Sequence, residues 1–245
     1  MTRWAVRRHR RPDAVTSLYC FPHAGGSPGE YVRWSDDLPE MQVWGVHLPG
    51  RTTRLAEPPF TRMEPLVDAL VSAVTFDGPF VLLGHSLGAL VAFEVARELR
   101  RRGRPQPDRL IVSSCPAPPP PPVRQSVRGL PDDVLLDGIE RQGGESMDHL
   151  RDDPGLREHA LAAYRADFAL LENYHYVPDD PLDLPITALA GAEEPRAQQA
   201  GGWAAHTSGP TELRLVPGGH FYFREERHET LRVLRETVFS TKGRP

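Results

Sequence analysis

Cysteine and lysine are almost missing from this 245-residue chain: Cys20 and Cys115 are the only thiols and Lys242 the only lysine. Two cysteines without metal-ligand spacing exclude a disulfide framework and a structural metal site, and two buried thiols suit a reducing cytosol. No apolar run approaches the length of a membrane span. The N-terminal arginines Arg3, Arg7, Arg8, Arg10 and Arg11 lack the apolar segment of a secretory signal, so they read as a disordered basic arm. A net charge of −4 gives no electrostatic reason to expect nucleic acid. What remains is an ordinary composition, 39% hydrophobic and 25% charged, in a chain long enough for an α/β domain with an insertion.

The most informative stretch is Val81–Leu90. Phe80–Leu83 is an apolar run of strand length, Leu87 onward has helical spacing, and Gly84-His85-Ser86-Leu87-Gly88 lies between them. A strand that turns straight into a helix holds the central serine in a strained conformation, which only small residues two positions either side accommodate. The hydroxyl of Ser86 then stands at the carboxyl edge of a sheet, at the positive end of a helix.

Around this elbow, strands and helices alternate, which implies a parallel sheet with crossover helices. Strands are expected at Thr16–Phe21, Gln42–Leu48, Phe80–Leu83, Leu110–Ser113, Leu184–Ala190 and Glu212–Val216, and helices at Pro65–Val74, Leu87–Arg101 and Glu225–Phe239. The proline run Pro116–Pro122 blocks both helix and central strand and reads as a stiff extended connector. From Leu130 to about Tyr176 the spacing is helical without a strand signal. The whole chain, 1–245, is therefore expected to be one domain, with a helical insertion at 116–183 forming a lid over the catalytic edge or an ordinary layer on the sheet.

A serine hydroxyl needs a base to take its proton, and that base needs a carboxylate on its other nitrogen. Ser86, Glu194 and His220 follow the chain order nucleophile, acid, histidine, and the latter two lie just after late strands. His220 is the one histidine of ten in a Gly-Gly-His turn directly after such a strand. The acid is Glu194 or its neighbour Glu193, with Glu194 favoured. The turn Phe21-Pro22-His23-Ala24-Gly25-Gly26 supplies glycines that let backbone N–H groups face a neighbouring site. His23 either orients that loop or takes part in chemistry.

Phe21-Pro22-His23-Ala24-Gly25-Gly26, Leu48-Pro49-Gly50-Arg51, Gly84-His85-Ser86-Leu87-Gly88-Ala89, Arg165-Ala166-Asp167 and Gly218-Gly219-His220-Phe221-Tyr222 together resemble the type II thioesterases. These are the editing enzymes of polyketide and nonribosomal peptide synthesis, members of the α/β-hydrolase superfamily. The resemblance runs from about Ser17 to Phe239. It implies a mostly parallel sheet flanked by helices with a helical lid, and a cytoplasmic enzyme of antibiotic biosynthesis. It also implies hydrolysis of acyl groups from the phosphopantetheine of acyl or peptidyl carrier proteins. No metal or cofactor is implied beyond the phosphopantetheine that the substrate carries, and no membrane or nucleic-acid partner. The N–H groups of Ala24 and Leu87 would form the oxyanion hole, and His23, His85 and Phe221 would belong to the substrate or lid region.

The likeness has two departures. Glu194 stands where such enzymes carry aspartate, and Thr52 stands where a glutamate would follow Pro49-Gly50-Arg51. An oxygen-ester hydrolase with the same triad, or a hydrolase-fold binding protein without chemistry, are the other readings. The absence of an Asp-Ser-Leu phosphopantetheine attachment pattern suggests a free-standing protein, and a monomer is expected. The basic run Arg97–Arg104 is either a solvated helix end or a surface that steers an acidic carrier.

Overall fold

Alternation along the strands sorts the side chains into two layers. In Thr16–Phe21, Leu18 and Cys20 point to one face of the sheet, Tyr19 and Phe21 to the other. The computed structural model describes residues 3–119, 126–127, 129–141, 147–195 and 197–239. Its sheet contains β1 (Ala5–Val6), β2 (Thr16–Phe21), β3 (Met41–Val46), β4 (Phe80–His85), β5 (Arg109–Ser113), β6 (Ile186–Gly191) and β7 (Thr211–Val216). They stand in the order β1-β3-β2-β4-β5-β6-β7, all parallel except β1, which runs antiparallel to β3.

The helices are α1 (Pro28–Val32), α2 (Met63–Ala73), α3 (Leu87–Arg101), α4 (Asp132–Arg141), α5 (Asp148–Asp152), α6 (Pro154–Glu172), α7 (Tyr222–Glu225) and α8 (Arg227–Phe239). α2 and α3 cover one face of the sheet through Leu66, Leu70, Leu90 and Val95. α1 and α8 cover the other through Tyr31, Leu231 and Leu234. Residues of α4–α6 form a small core of their own from Leu135, Leu136, Ile139, Leu150 and Leu161.

The chain runs outward from β2 to β3 and then returns to lay β4 on the other side of β2. That reversal leaves a crevice between the carboxyl ends of β2 and β4, the place where open α/β sheets bind ligands. The expected strands and long helices agree with the observed ones to within two residues at each end.

The N-terminal arm departs from its reading as disordered. Ala5 pairs with Val46 and Val6 with Gly45. The Arg7 guanidinium lies 4.7 Å from the Trp44 ring centroid, and that of Arg54 lies 4.2 Å from Trp4. The arm covers what would be an open sheet edge. Of the proline-rich connector, residues 120–122 lie outside the described residues.

Candidate active site

The elbow is held by close backbone approach. A Cβ on Gly84 would sit 2.1 Å from the Gly88 carbonyl oxygen, and one on Gly88 would sit 2.1 Å from that of Phe21. With both positions bare, β4 passes into α3 through Ser86 at φ 55° and ψ −120°, a region L residues avoid. The Ser86 N–H donates to the Ser113 carbonyl at 2.8 Å, which ties the strained residue to the end of β5.

Glu194 and His220 follow β6 and β7, and the two loops touch because Gly191 has no side chain: a Cβ there would lie 2.1 Å from the Gly219 oxygen. The Glu193 N–H donates to the Gly218 carbonyl at 3.0 Å. Glu194 Oε2 stands 3.2 Å from His220 Nδ1. Its other oxygen, Oε1, accepts the Gly191 N–H at 2.9 Å and the hydroxyl of Ser114. The extra methylene of glutamate is thus taken up by curling the side chain back over its own loop. Glu193 is exposed. Ser114 holds its hydroxyl in that place at φ 49°, strained for a residue with a side chain.

Burial alone would raise the Glu194 pKa, but hydrogen bonds from His220, Ser114 and the Gly191 N–H outweigh it and hold the carboxyl below its ordinary value. Among the described residues the Ser86 hydroxyl has no hydrogen-bond partner, while the Glu194–His220 contact is closed. Contacts between nucleophile and base commonly tighten only when substrate is bound.

The loop after β2 lies beside the elbow. Its Gly25 N–H donates to Asp167 Oδ2 at 2.7 Å and its Gly26 N–H to the His23 carbonyl at 2.9 Å. The N–H of Ala24 makes neither contact. At the start of α3 the Ala89 N–H donates to the Ser86 carbonyl at 2.9 Å, while Leu87, the first residue of the helix, has no preceding turn to accept its N–H.

His23 and His85 depart from a place on the substrate or lid surface, since both are buried beneath it. His85 is 1% exposed; it shares the side of β4 occupied by Val81 and Leu83, the side that faces α8. Its Nδ1 is 2.7 Å from Ser113 Oγ, which is 2.6 Å from the Tyr222 hydroxyl. That chain links the strand leading into Ser86, the end of β5, and the helix after His220. His23 Nδ1 lies 3.1 Å from the Tyr31 hydroxyl. Burial, then Arg224, pushes its pKa down to about 3, and burial with His220 takes His85 well below the usual range. Both are neutral packing groups near pH 7. Phe221 is half-buried, with its ring centroid 4.9 Å from that of His220 and 5.0 Å from that of His23.

Three features had no signal in the sequence: the hydroxyl of Ser114 on Glu194, the His85–Ser113–Tyr222 chain, and a buried ion pair between Arg51 and Asp167. The basic run, expected as a solvated helix end or a surface that steers an acidic carrier, closes α3 with several of its arginines paired to acids. Arg97 is buried against Glu94, Arg100 meets Asp179, and Arg102 meets Glu98 and Asp68. Thr52 Oγ1 lies 2.6 Å from His47 Nε2. Among the described residues no group of three or more His, Cys, Asp or Glu could hold a metal ion, and no helix is long and apolar enough to cross a membrane.

The Thioesterase domain family matches residues 16–238. The chain is 39% identical over 248 residues to the thioesterase PikA5 of Streptomyces venezuelae, covering 99% of this chain and 88% of the relative. Among solved structures, it resembles RedJ, a thioesterase from the prodiginine pathway of Streptomyces coelicolor, with a TM-score of 0.84 and 36% identity over 94% of this chain and 92% of that one. BorB, the type II thioesterase of the borrelidin cluster, gives a TM-score of 0.84 at 35% identity, covering 96% and 98% of the two chains.

Proposed function

The chain belongs to the thioesterase domain family and is a type II thioesterase of the kind found in polyketide and nonribosomal peptide pathways, and from that premise we propose that it hydrolyses acyl groups from the phosphopantetheine thiol of carrier proteins with a Ser86–His220–Glu194 triad. The observation that carries this reading is the 3.2 Å contact between Glu194 Oε2 and His220 Nδ1, on the loops beyond β6 and β7, at the sheet edge where Ser86 is strained outward.

Glu194 holds the proton of His220 on Nδ1, which leaves Nε2 free to accept from Ser86. Ser86 Oγ attacks the thioester carbonyl carbon and its proton passes to His220. The resulting oxyanion is met by the N–H groups of Ala24 and Leu87, each worth roughly 3–4 kcal/mol in the transition state. The carbon–sulfur bond breaks, and the thiol departs with the proton from His220. Water then attacks the acyl-serine, giving one proton to His220. Release of the free acid returns that proton to Ser86 Oγ. A thiolate leaves readily, so the reaction asks for no Lewis acid.

Comparison of acyl-loaded carrier proteins with matched p-nitrophenyl esters tests the assignment. The expected result is a higher kcat/KM on the carrier-bound thioester. Faster turnover of the oxygen ester, with carrier-bound acyl groups left intact, would assign the site to an esterase instead.

A further inference from the structure

We infer that Arg51 and Asp167 are positioning residues that aim the Ala24 N–H, and that they act by strapping α6 to the loop after β2; this inference rests on the oxyanion role proposed above for Ala24. The two side chains meet 116 residues apart in sequence. Arg51 is 6% exposed and Asp167 1%. Arg51 Nη1 donates to Asp167 Oδ2 at 2.8 Å and Nη2 to Oδ1 at 2.7 Å, while Nη1 also reaches the Gly26 carbonyl at 3.1 Å. Asp167 Oδ2 accepts the Gly25 N–H at 2.7 Å. The pair therefore fixes the peptide immediately after Ala24 and the carbonyl two residues on.

One turn earlier on the same face of α6, Tyr164 closes the loop from above. A Cβ on Gly25 would lie 2.2 Å from its ring, and Gly25 has a φ of +73°. The loop is thus held by three contacts, two from α6 and one from the segment after β3.

Stability alone is a poor explanation for the pair. Burying two charges costs desolvation that their attraction barely returns. Here the Arg51 Nε is also buried without a hydrogen-bond partner among the described residues. What the pair supplies is a fixed direction: two parallel donors, two acceptor oxygens and one backbone N–H leave the loop a narrow range of orientations. An oxyanion donor works only when it is aimed before the reaction begins, and a displacement of about 1 Å costs on the order of a hundredfold in rate.

The test is an apolar replacement, Arg51→Met with Asp167→Leu, which removes the acceptor of the Gly25 N–H without leaving a buried charge behind. A neutral polar pair, Arg51→Gln with Asp167→Asn, keeps an acceptor oxygen. Each is assayed for kcat and KM on an acyl-pantetheine thioester, inhibition by an alkylboronic acid that mimics the tetrahedral adduct, Tm, and amide exchange at Gly25. Positioning predicts that the apolar pair loses about a hundredfold in kcat, with KM little changed, boronate inhibition weakened in parallel and Tm within a few degrees of wild type. The polar pair recovers most of that loss.

Full rate and full boronate affinity in the apolar pair would overturn the inference. If that variant does not fold, an unprotected Gly25 N–H in a fully active polar pair would do the same. Fluorophosphonate labelling of wild-type Ser86 separates the two levels: wild type that neither labels nor hydrolyses defeats the triad reading, whereas an active wild type matched by the apolar pair defeats only this inference.

Discussion

Replacing Glu194 by glutamine changes one oxygen to an NH2 group, and the surroundings dictate where that group must go. Oε1 accepts the Gly191 N–H and the Ser114 hydroxyl, two donors that an amide oxygen satisfies and an amide NH2 does not. The amide oxygen of a glutamine at 194 therefore keeps that position, and its NH2 faces His220 Nδ1, 3.2 Å away in the wild type. A donor opposite Nδ1 demands a lone pair there, so the imidazole proton moves to Nε2, the nitrogen that must accept from Ser86. Locking a triad histidine in that tautomer costs about 10⁴ in kcat, or about 5 kcal/mol of transition-state stabilisation. The assay is kcat on an acyl-pantetheine thioester near pH 7, with Tm as the control for folding. Glu193→Gln serves as the neighbouring control and keeps wild-type rate, because that side chain is exposed. Glu194→Gln within tenfold of wild type, at unchanged Tm, would refute the tautomer argument and the assignment of the acid with it.

Ser114→Ala removes one of the hydrogen bonds that hold the Glu194 carboxyl below its ordinary pKa, so that carboxyl titrates at higher pH in the variant, read by NMR of the side-chain carboxyl carbon; an unmoved titration counts against the bridge. Stability falls in acid through His23. In the folded chain it stays neutral down to about pH 3, whereas unfolded it protonates near 6.5, so the unfolded state binds more protons across that window. Each pH unit there costs up to about 1.4 kcal/mol, and urea unfolding at pH 7 and pH 4.5 should show a shallower loss for His23→Gln than for wild type; equal losses would mean that His23 is not held neutral. Arg100→Gln with Arg102→Gln leaves carrier-bound turnover within about twofold. Both are already paired with acids, and α3 carries them about 20 Å from Ser86, beyond the reach of exposed charge in physiological salt. A large loss confined to carrier-bound substrates would restore the docking role.

Local constraint decided how much the sequence disclosed. The elbow was legible because two backbones approach where Gly84 and Gly88 stand, and no other residue fits. Chain order and turn residues after late strands singled out Glu194 and His220, and the structure brings their side chains to 3.2 Å of one another. The strand Ala5–Val6 was hidden, since two residues show no period, and what orders the arm is its pairing with β3. The resemblance placed His85 in the substrate or lid region, yet the pleat turns it the other way, into the layer under α8. The choice between a solvated helix end and a steering surface for the basic run stayed open because two of its acids, Asp68 and Asp179, come from distant segments. Arg51 and Asp167 both stood in motifs, but nothing local to either shows that they meet.

The central claim is that Ser86 carries the acyl group from thiol to water. Its most direct test is turnover of an acyl-loaded carrier protein by Ser86→Ala beside wild type, read as free acid and unloaded carrier by intact mass. Wild type should release both, and the alanine variant neither above the uncatalysed background. Release by the folded variant at a rate approaching wild type would contradict the account.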